Sequence, residues 1–247
     1  MKLKDLQFIS LLSVVEHNYF ATLLGSTCTK RKMMKLVYFD ARGVIEVSRV
    51  MLKIGGVAFE DTRLALVPKE GGGFDYPEFL SQKASGAFAL NMDRAPVLHV
   101  DGSTIGQSKS IERFVAKRCN LLGSSDTEAA QIDCITEHIR DIKDKYSKVK
   151  ALPAAEKEEA LKKWFDSDLS EWLVKLEKSL PVTTEGFSVG SSVSYADVTI
   201  WSFLSDYFDN NVSGTYGSCP NVTAIVASVS SHPAVQKWLA ERPVTAF

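Results

Sequence analysis

The sequence predicts a mixed α/β domain followed by an all-helical one, and three observations carry that division. Alternating or β-branched runs occur only between Lys35 and Ile105. A short linker, Asn120-Leu121-Leu122-Gly123-Ser124-Ser125-Asp126, then interrupts the pattern. Beyond it the apolar residues recur every three to four positions. The boundaries that follow are 1–33 for an N-terminal extension, 34–118 for the α/β domain and 119–247 for the helical domain.

Lys35-Leu36-Val37-Tyr38-Phe39-Asp40 is rich in β-branched and aromatic residues and closes on Ala41-Arg42-Gly43, a strand entering a turn. Apolar residues at 44, 47, 50, 51 and 54 then predict a helix from Val44 to Ile54, ended by Gly55-Gly56. Val57 to Leu66 reads as a second strand. Lys69-Glu70-Gly71-Gly72-Gly73 reads as a loop, since no regular element tolerates that many glycines. Pro77 is placed to open a helix. Arg94 to Ile105 holds two alternating runs joined by Asp101-Gly102, a two-residue hairpin pattern. Ser108 to Lys117 carries Ile111, Phe114 and Val115 on one face, with Ser108 as the expected N-cap.

In the second half, Leu161, Phe165, Leu169, Trp172, Leu173, Leu176 and Leu180 predict helix over Glu156–Leu180. Ser194-Tyr195-Ala196-Asp197 sets a hydroxyl and a carboxylate three residues apart before the apolar run Val198 to Phe208, a capping box with Asp in place of the usual Glu.

Composition removes several classes of function. Among 247 residues, 45% are hydrophobic and 24% charged, which builds a core and excludes a disordered, collagenous or membrane-embedded chain. The net charge of -1 supplies no field for phosphate backbones or anionic lipid, so neither nucleic acid nor membrane is an expected partner. Cys28, Cys119, Cys134 and Cys219 form no CxxC pair, and the four histidines show no HExxH spacing, so no metal is expected. Free thiols fit a reducing, cytoplasmic compartment. Met1 to Lys32 reads separately. Lys2 and Lys4 precede an interrupted apolar stretch, Leu6 to Val15, of about signal-peptide length and far short of a membrane span. A weak targeting leader, an unstructured extension and an overextended gene model all fit it.

Four patches together resemble the cytosolic glutathione S-transferase superfamily, in its sigma-like class. They are Leu36-Val37-Tyr38-Phe39 with Arg42-Gly43; Ala95-Pro96-Val97-Leu98 with Val100-Asp101-Gly102; Gln107-Ser108 with Ile111; and Ser194-Tyr195-Ala196-Asp197. His232-Pro233-Ala234-Val235-Gln236-Lys237-Trp238 and Arg242-Pro243 are similar to the family's closing helix and tail. The resemblance implies a thioredoxin-like first domain, a helical second domain, a homodimer, and glutathione as co-substrate with no separate cofactor. It implies that glutathione thiolate is conjugated to a small hydrophobic electrophile.

Residue by residue, Tyr38 matches the family's catalytic tyrosine, whose hydroxyl would donate to the sulfur. Gln107 and Ser108 would take the γ-glutamyl carboxylate on the first amides of their helix. Ala95-Pro96 matches a cis-proline step that pairs with the cysteinyl unit. Tyr76 stands where sigma-like members usually have a tryptophan contacting the glycyl end and keeps a donor, Arg94 stands where a lysine is common and keeps the charge as a glutathione contact, and Asp141 aligns with an acid that reaches the γ-glutamyl ammonium across the dimer. Two departures weaken the match: Val44 replaces a basic residue, and Gly71 to Gly73 lengthens the loop at the glycyl end. Arg42 reads as a structural residue between the domains. The acceptor pocket is expected between the loop after Tyr38 and the first long helix. The resemblance also leaves open glutathione-dependent isomerisation or peroxide reduction and a non-catalytic role, whereas Ala41-Arg42 in the redox-cysteine region excludes a thioredoxin-type oxidoreductase.

Overall fold

The structure is a computed structural model that describes residues 33–181, 186–208 and 211–245. The leader-like segment lies outside the described residues. Strand β1 (Met34–Phe39) is central, with β2 (Phe59–Leu64) parallel on one side and β5 (Val97–Val100) antiparallel on the other. β6 (Ser103–Gly106) completes the sheet in the order β2-β1-β5-β6. The Gly71–Gly73 segment, read as a loop, is the turn of a small separate ribbon, β3 (Val67–Pro68) against β4 (Phe74–Asp75).

The period of two along β1 decides what lies on each face of the sheet. Leu36 stands opposite Leu98, and both enter the main core; Val37 stands opposite Val97, and both enter a second cluster with Leu64, Phe79 and Phe88. Phe79 comes from α2 (Pro77–Ala84), which opens on proline as expected. The turn between β5 and β6 puts Asp101 and Gly102 at φ of 49° and 80°, the left-handed pair that a two-residue hairpin requires. The helix expected at Val44 starts with a 3₁₀ turn, Gly43–Ile45, before α1 (Glu46–Ile54).

After α3 (Ser108–Arg118) the chain is helical: α4 (Asp126–Lys150), α5 (Ala154–Lys163), α6 (Leu169–Ser179), α7 (Tyr195–Ser205), α8 (Pro220–Ser231) and α9 (Pro233–Glu241). The helix expected over Glu156–Leu180 is present, with one irregularity that the spacing did not give. A π turn, Trp164–Asp168, separates α5 from α6. A π turn shifts the helical face, so Trp164, Leu169, Leu173 and Leu176 are buried while Leu161 and Phe165 are only half-buried. No described helix is long and apolar enough to cross a membrane.

The main core runs without interruption from Leu36, Val50 and Ile111 into Ile139, Leu173 and Phe203. Buried charges join the two halves beside it. Arg49, fully buried, donates to Ala41 O at 2.7 Å, to Glu46 at 3.1 Å and to Asp61 at 3.0 Å. Glu46 accepts from Trp238 Nε1 at 2.8 Å and from Arg242 at 3.0 Å, and Arg242 reaches Asp206 at 2.7 Å. Arg42 donates to the same Asp206, to its carbonyl and its carboxylate, both at 3.1 Å. Removing one member of such a network strands a buried charge, at a cost of about 3–5 kcal/mol. The loop after β1 is thereby tied to the last helices.

Candidate functional site

Tyr38 is the last residue but one of β1 and is half-buried, with Phe39 edge-on at 5.4 Å between ring centroids. The next turn is shaped around its hydroxyl. Gly43 has φ of +49°, and a Cβ there would lie 2.7 Å from Tyr38 Oη, so a side chain is excluded by backbone and space alike. Burial raises the phenol above its ordinary value; a hydrogen bond from the Val44 backbone and the positive Arg49 oppose this without reversing it. The hydroxyl therefore keeps its proton at neutral pH and is a donor.

The second group of expected residues is assembled by a residue that sequence reasoning missed. Asn91, 4% exposed, donates through Nδ2 to the carbonyls of Arg94 at 2.7 Å and Pro96 at 2.9 Å. Its Oδ1 accepts from Gln107 N at 2.9 Å. Ala95-Pro96 is a cis peptide. Asn91 thus stitches the cis-proline step to the start of α3, and Gly106 is the residue that lets it in, since a Cβ there would lie 2.5 Å from Asn91 Oδ1. Nothing local in the sequence distinguishes Asn91; the one available hint is Gly106, a glycine inside a strand pattern, which signals close approach.

The expectation that Ser108 caps α3 is corrected. Gln107 holds the N-cap position with φ of 63° and ψ of 119°, Ser108 is already the first helical residue, and no side chain caps the helix. Gln107 turns the chain with its amide held by Asn91, and its carbonyl accepts the first helical bond, from Ile111 N at 3.0 Å. The amides of the first turn, from Ser108 on, have no side-chain cap, and helix geometry gives them no intrahelical acceptor. Behind them, Glu112 is buried, accepting from Tyr195 of α7 at 2.5 Å and from Lys109 at 2.8 Å. The Tyr195 phenol is pushed strongly upward by burial and by Glu112.

The remaining expected residues divide. Tyr76 is exposed and packs its ring on Phe39 and Phe79 at 5.9 and 5.8 Å, in ring contact with the residue that follows Tyr38. Arg94 is exposed, with its guanidinium 3.7 Å from Met92 Sδ. Asp141 is exposed and lines a cleft between α4 and α6 with His138, Trp172 and Lys175. It is not grouped with Gln107 and Ser108 within one chain. The α4 acids that face α3 are Asp133, at 2.6 Å from Arg113, and Glu137, which also pairs with Arg113.

Comparison with known proteins bears on what this arrangement does. Residues 140–242 match the family model for the glutathione S-transferase C-terminal domain. Glutathione S-transferase 2 of Caenorhabditis elegans is 33% identical over 176 residues, covering 69% of this chain and 86% of the relative. Hematopoietic prostaglandin D synthase of Gallus gallus is 30% identical over 216 residues, covering 86% of this chain and 98% of the relative. Among solved structures, a monomeric glutathione S-transferase of the hookworm Necator americanus superposes with a TM-score of 0.70 at 26% identity, covering 87% of this chain and all of that one.

Proposed function

Because this chain belongs to the glutathione S-transferase family and is a glutathione transferase, we propose that Tyr38 activates the glutathione thiol for attack on a small hydrophobic electrophile. The observation that carries this reading is the Tyr38 hydroxyl, kept protonated by burial and accommodated by the side-chain-free Gly43. A phenol that retains its proton donates to a thiolate and lowers the free energy of the ionised form. A charge-assisted bond contributes roughly 1.5–3 kcal/mol, which at 1.36 kcal/mol per unit lowers the thiol pKa by about one to two units.

In this reading the γ-glutamyl carboxylate takes the start of α3 at Gln107 and Ser108, where the uncapped amides that begin with Ser108 and the helix dipole favour an anion while the Gln107 amide stays on Asn91. The backbone of Ala95, ahead of cis-Pro96, pairs with the cysteinyl unit. Tyr76 and Arg94 hold the glycyl end. Asp141 of the partner subunit meets the γ-glutamyl ammonium, which requires a homodimer. We assign the chain to the sigma-like class, with its domains divided at 118 and 119 and its place in the cytoplasm; glutathione is the co-substrate and no other cofactor is invoked.

The test is Tyr38→Phe, with glutathione affinity measured by calorimetry and thiolate by its ultraviolet absorbance against pH. The variant should bind glutathione within a few-fold of wild type while the bound thiol titrates about one to two units higher. A thiolate titration identical to wild type would move the activating donor to another residue.

A further inference from the structure

We propose that Arg242, directly after α9, is a positioning residue for the reaction: by bridging Glu46 and Asp206 it fixes the loop 41–43 against the Tyr38 hydroxyl, and so sets how far that hydroxyl stabilises the bound thiolate. The inference rests on the reading of Tyr38 given above and deepens it.

The loop has little room beside the phenol. A Cβ on Gly43 would lie 2.7 Å from Tyr38 Oη and 2.9 Å from Cε1, and the next amide along, that of Val44, hydrogen-bonds the hydroxyl. A small shift of the loop therefore displaces the hydroxyl or its bond, and hydrogen bonds weaken steeply once distance and angle leave their optimum. What holds the loop is not local. The Ala41 carbonyl accepts from Arg49 Nη1 at 2.7 Å, and Arg42 donates to the carbonyl and the carboxylate of Asp206, both at 3.1 Å.

Both anchors lead to Arg242. Arg49 is oriented by one oxygen of Glu46 at 3.1 Å, and the other oxygen of Glu46 accepts from Arg242 Nη1 at 3.0 Å. Asp206 accepts from Arg242 Nη1 at 2.9 Å and from Nη2 at 2.7 Å. Among the described residues, Arg242 is the one side chain bonded to both carboxylates. Its bonds close a circuit that leaves the loop at Ala41, runs through Arg49, Glu46, Arg242 and Asp206, and returns at Arg42, the next residue. A circuit closed on two consecutive residues fixes the peptide between them, and with it the approach to Gly43. Water competes little for these bonds, because the side chains of Arg242, Asp206 and Glu46 are 17%, 6% and 2% exposed. The rigid planar fork of a guanidinium is what lets one cation serve two carboxylates at once.

The experiment compares the full-length wild type with Arg242→Met, Arg242→Lys, Tyr38→Phe and the double variant Arg242→Met with Tyr38→Phe, each shown by circular dichroism to be folded at the assay temperature. Bound glutathione is titrated by its thiolate absorbance, and kcat and KM for glutathione are measured with an aryl halide at about pH 6.5. Arg242→Met should raise the bound thiol by about 0.5 unit or more and lower kcat at that pH by about threefold or more, with KM for glutathione within about twofold of wild type. A loss of stability alone would move neither the titration nor kcat per folded molecule. Arg242→Lys keeps the charge without the fork, so it should shift the thiol in the same direction, and it carries the test if Arg242→Met does not fold. With Tyr38→Phe in place, removing Arg242 should shift the thiol no further, because it acts through that hydroxyl. A wild-type titration and kcat in the folded Arg242 variants, or the same shift with and without the hydroxyl, would overturn the proposal. Failure of the Tyr38 reading shows separately, as a thiol titration that Tyr38→Phe itself leaves unchanged, and it removes the proposal as well.

Discussion

Helices α7 and α3 begin in opposite ways. At α7, Ser194 and Asp197 form a complete capping box, and the Asp197 carboxylate accepts from Ser188 N at 2.6 Å, Ser194 N at 2.7 Å and Ser194 Oγ at 2.7 Å. It is fully buried; burial pushes the carboxyl upward and these donors oppose it. At α3, Gln107 turns with a positive φ and no side chain caps the amides that follow. Both helices start on a Ser-containing segment, so residue type alone does not separate them. A helix start that meets its own hydrogen-bond demand is closed to ligands, whereas one held in place from behind, as Asn91 and Glu112 hold α3, keeps its amides for an anion.

The largest expected effect tests the closed end. Asp197→Ala strands two buried amides and a hydroxyl, so the loss of stability should reach about 3–5 kcal/mol, beyond the 0.5–2 kcal/mol of an ordinary exposed cap. Denaturant unfolding measures it, and calorimetry should show glutathione affinity within about twofold of wild type. A folded variant that no longer bound glutathione would erase the contrast between the two ends.

A smaller effect is expected behind the open end. Asn91→Ala removes the acceptor of Gln107 N and the donor of two carbonyls, at about 2–3 kcal/mol of stability. Glutathione affinity should fall by about tenfold, since the cis-proline step and the helix start lose their common tie. Asn91→Asp sharpens the point, because it keeps the acceptor for Gln107 while turning the donor into a buried carboxylate oxygen against the carbonyls of Arg94 and Pro96. Equal affinities for wild type and Asn91→Ala would show that the two halves of the site hold their places without it.

The smallest stability change is expected at the open end itself. Ser108 makes no cap bond, so Ser108→Ala should unfold within about 0.5 kcal/mol of wild type while binding glutathione more weakly by roughly 1.5–3 kcal/mol. A stability loss of about 1 kcal/mol with unchanged affinity would instead return Ser108 to the role of a cap.

Legibility in the sequence followed the range of the interaction. The Asp101-Gly102 turn, the Ser194 and Asp197 box and the proline start of α2 were readable because each is settled within four residues. The cap of α3 was misjudged because Gln107 takes its unusual backbone from Asn91, sixteen residues earlier. The π turn at Trp164 escaped a period count, which assumes 3.6 residues per turn. Tyr38 was singled out by resemblance alone, whereas the upward shift of its phenol follows from burial in the folded chain.

By itself the sequence determined the main strands and helices in order and the division into a sheet half and a helical half, because hydrophobic period and turn chemistry act between near neighbours. Only the tertiary structure decided that both halves share one core and that Arg42, Arg242, Asp206 and Glu46 lock them together. Those are contacts between residues about 30 to 200 positions apart, and the free energy that sets them comes from burial and from charges desolvated together, neither of which exists until the chain has folded.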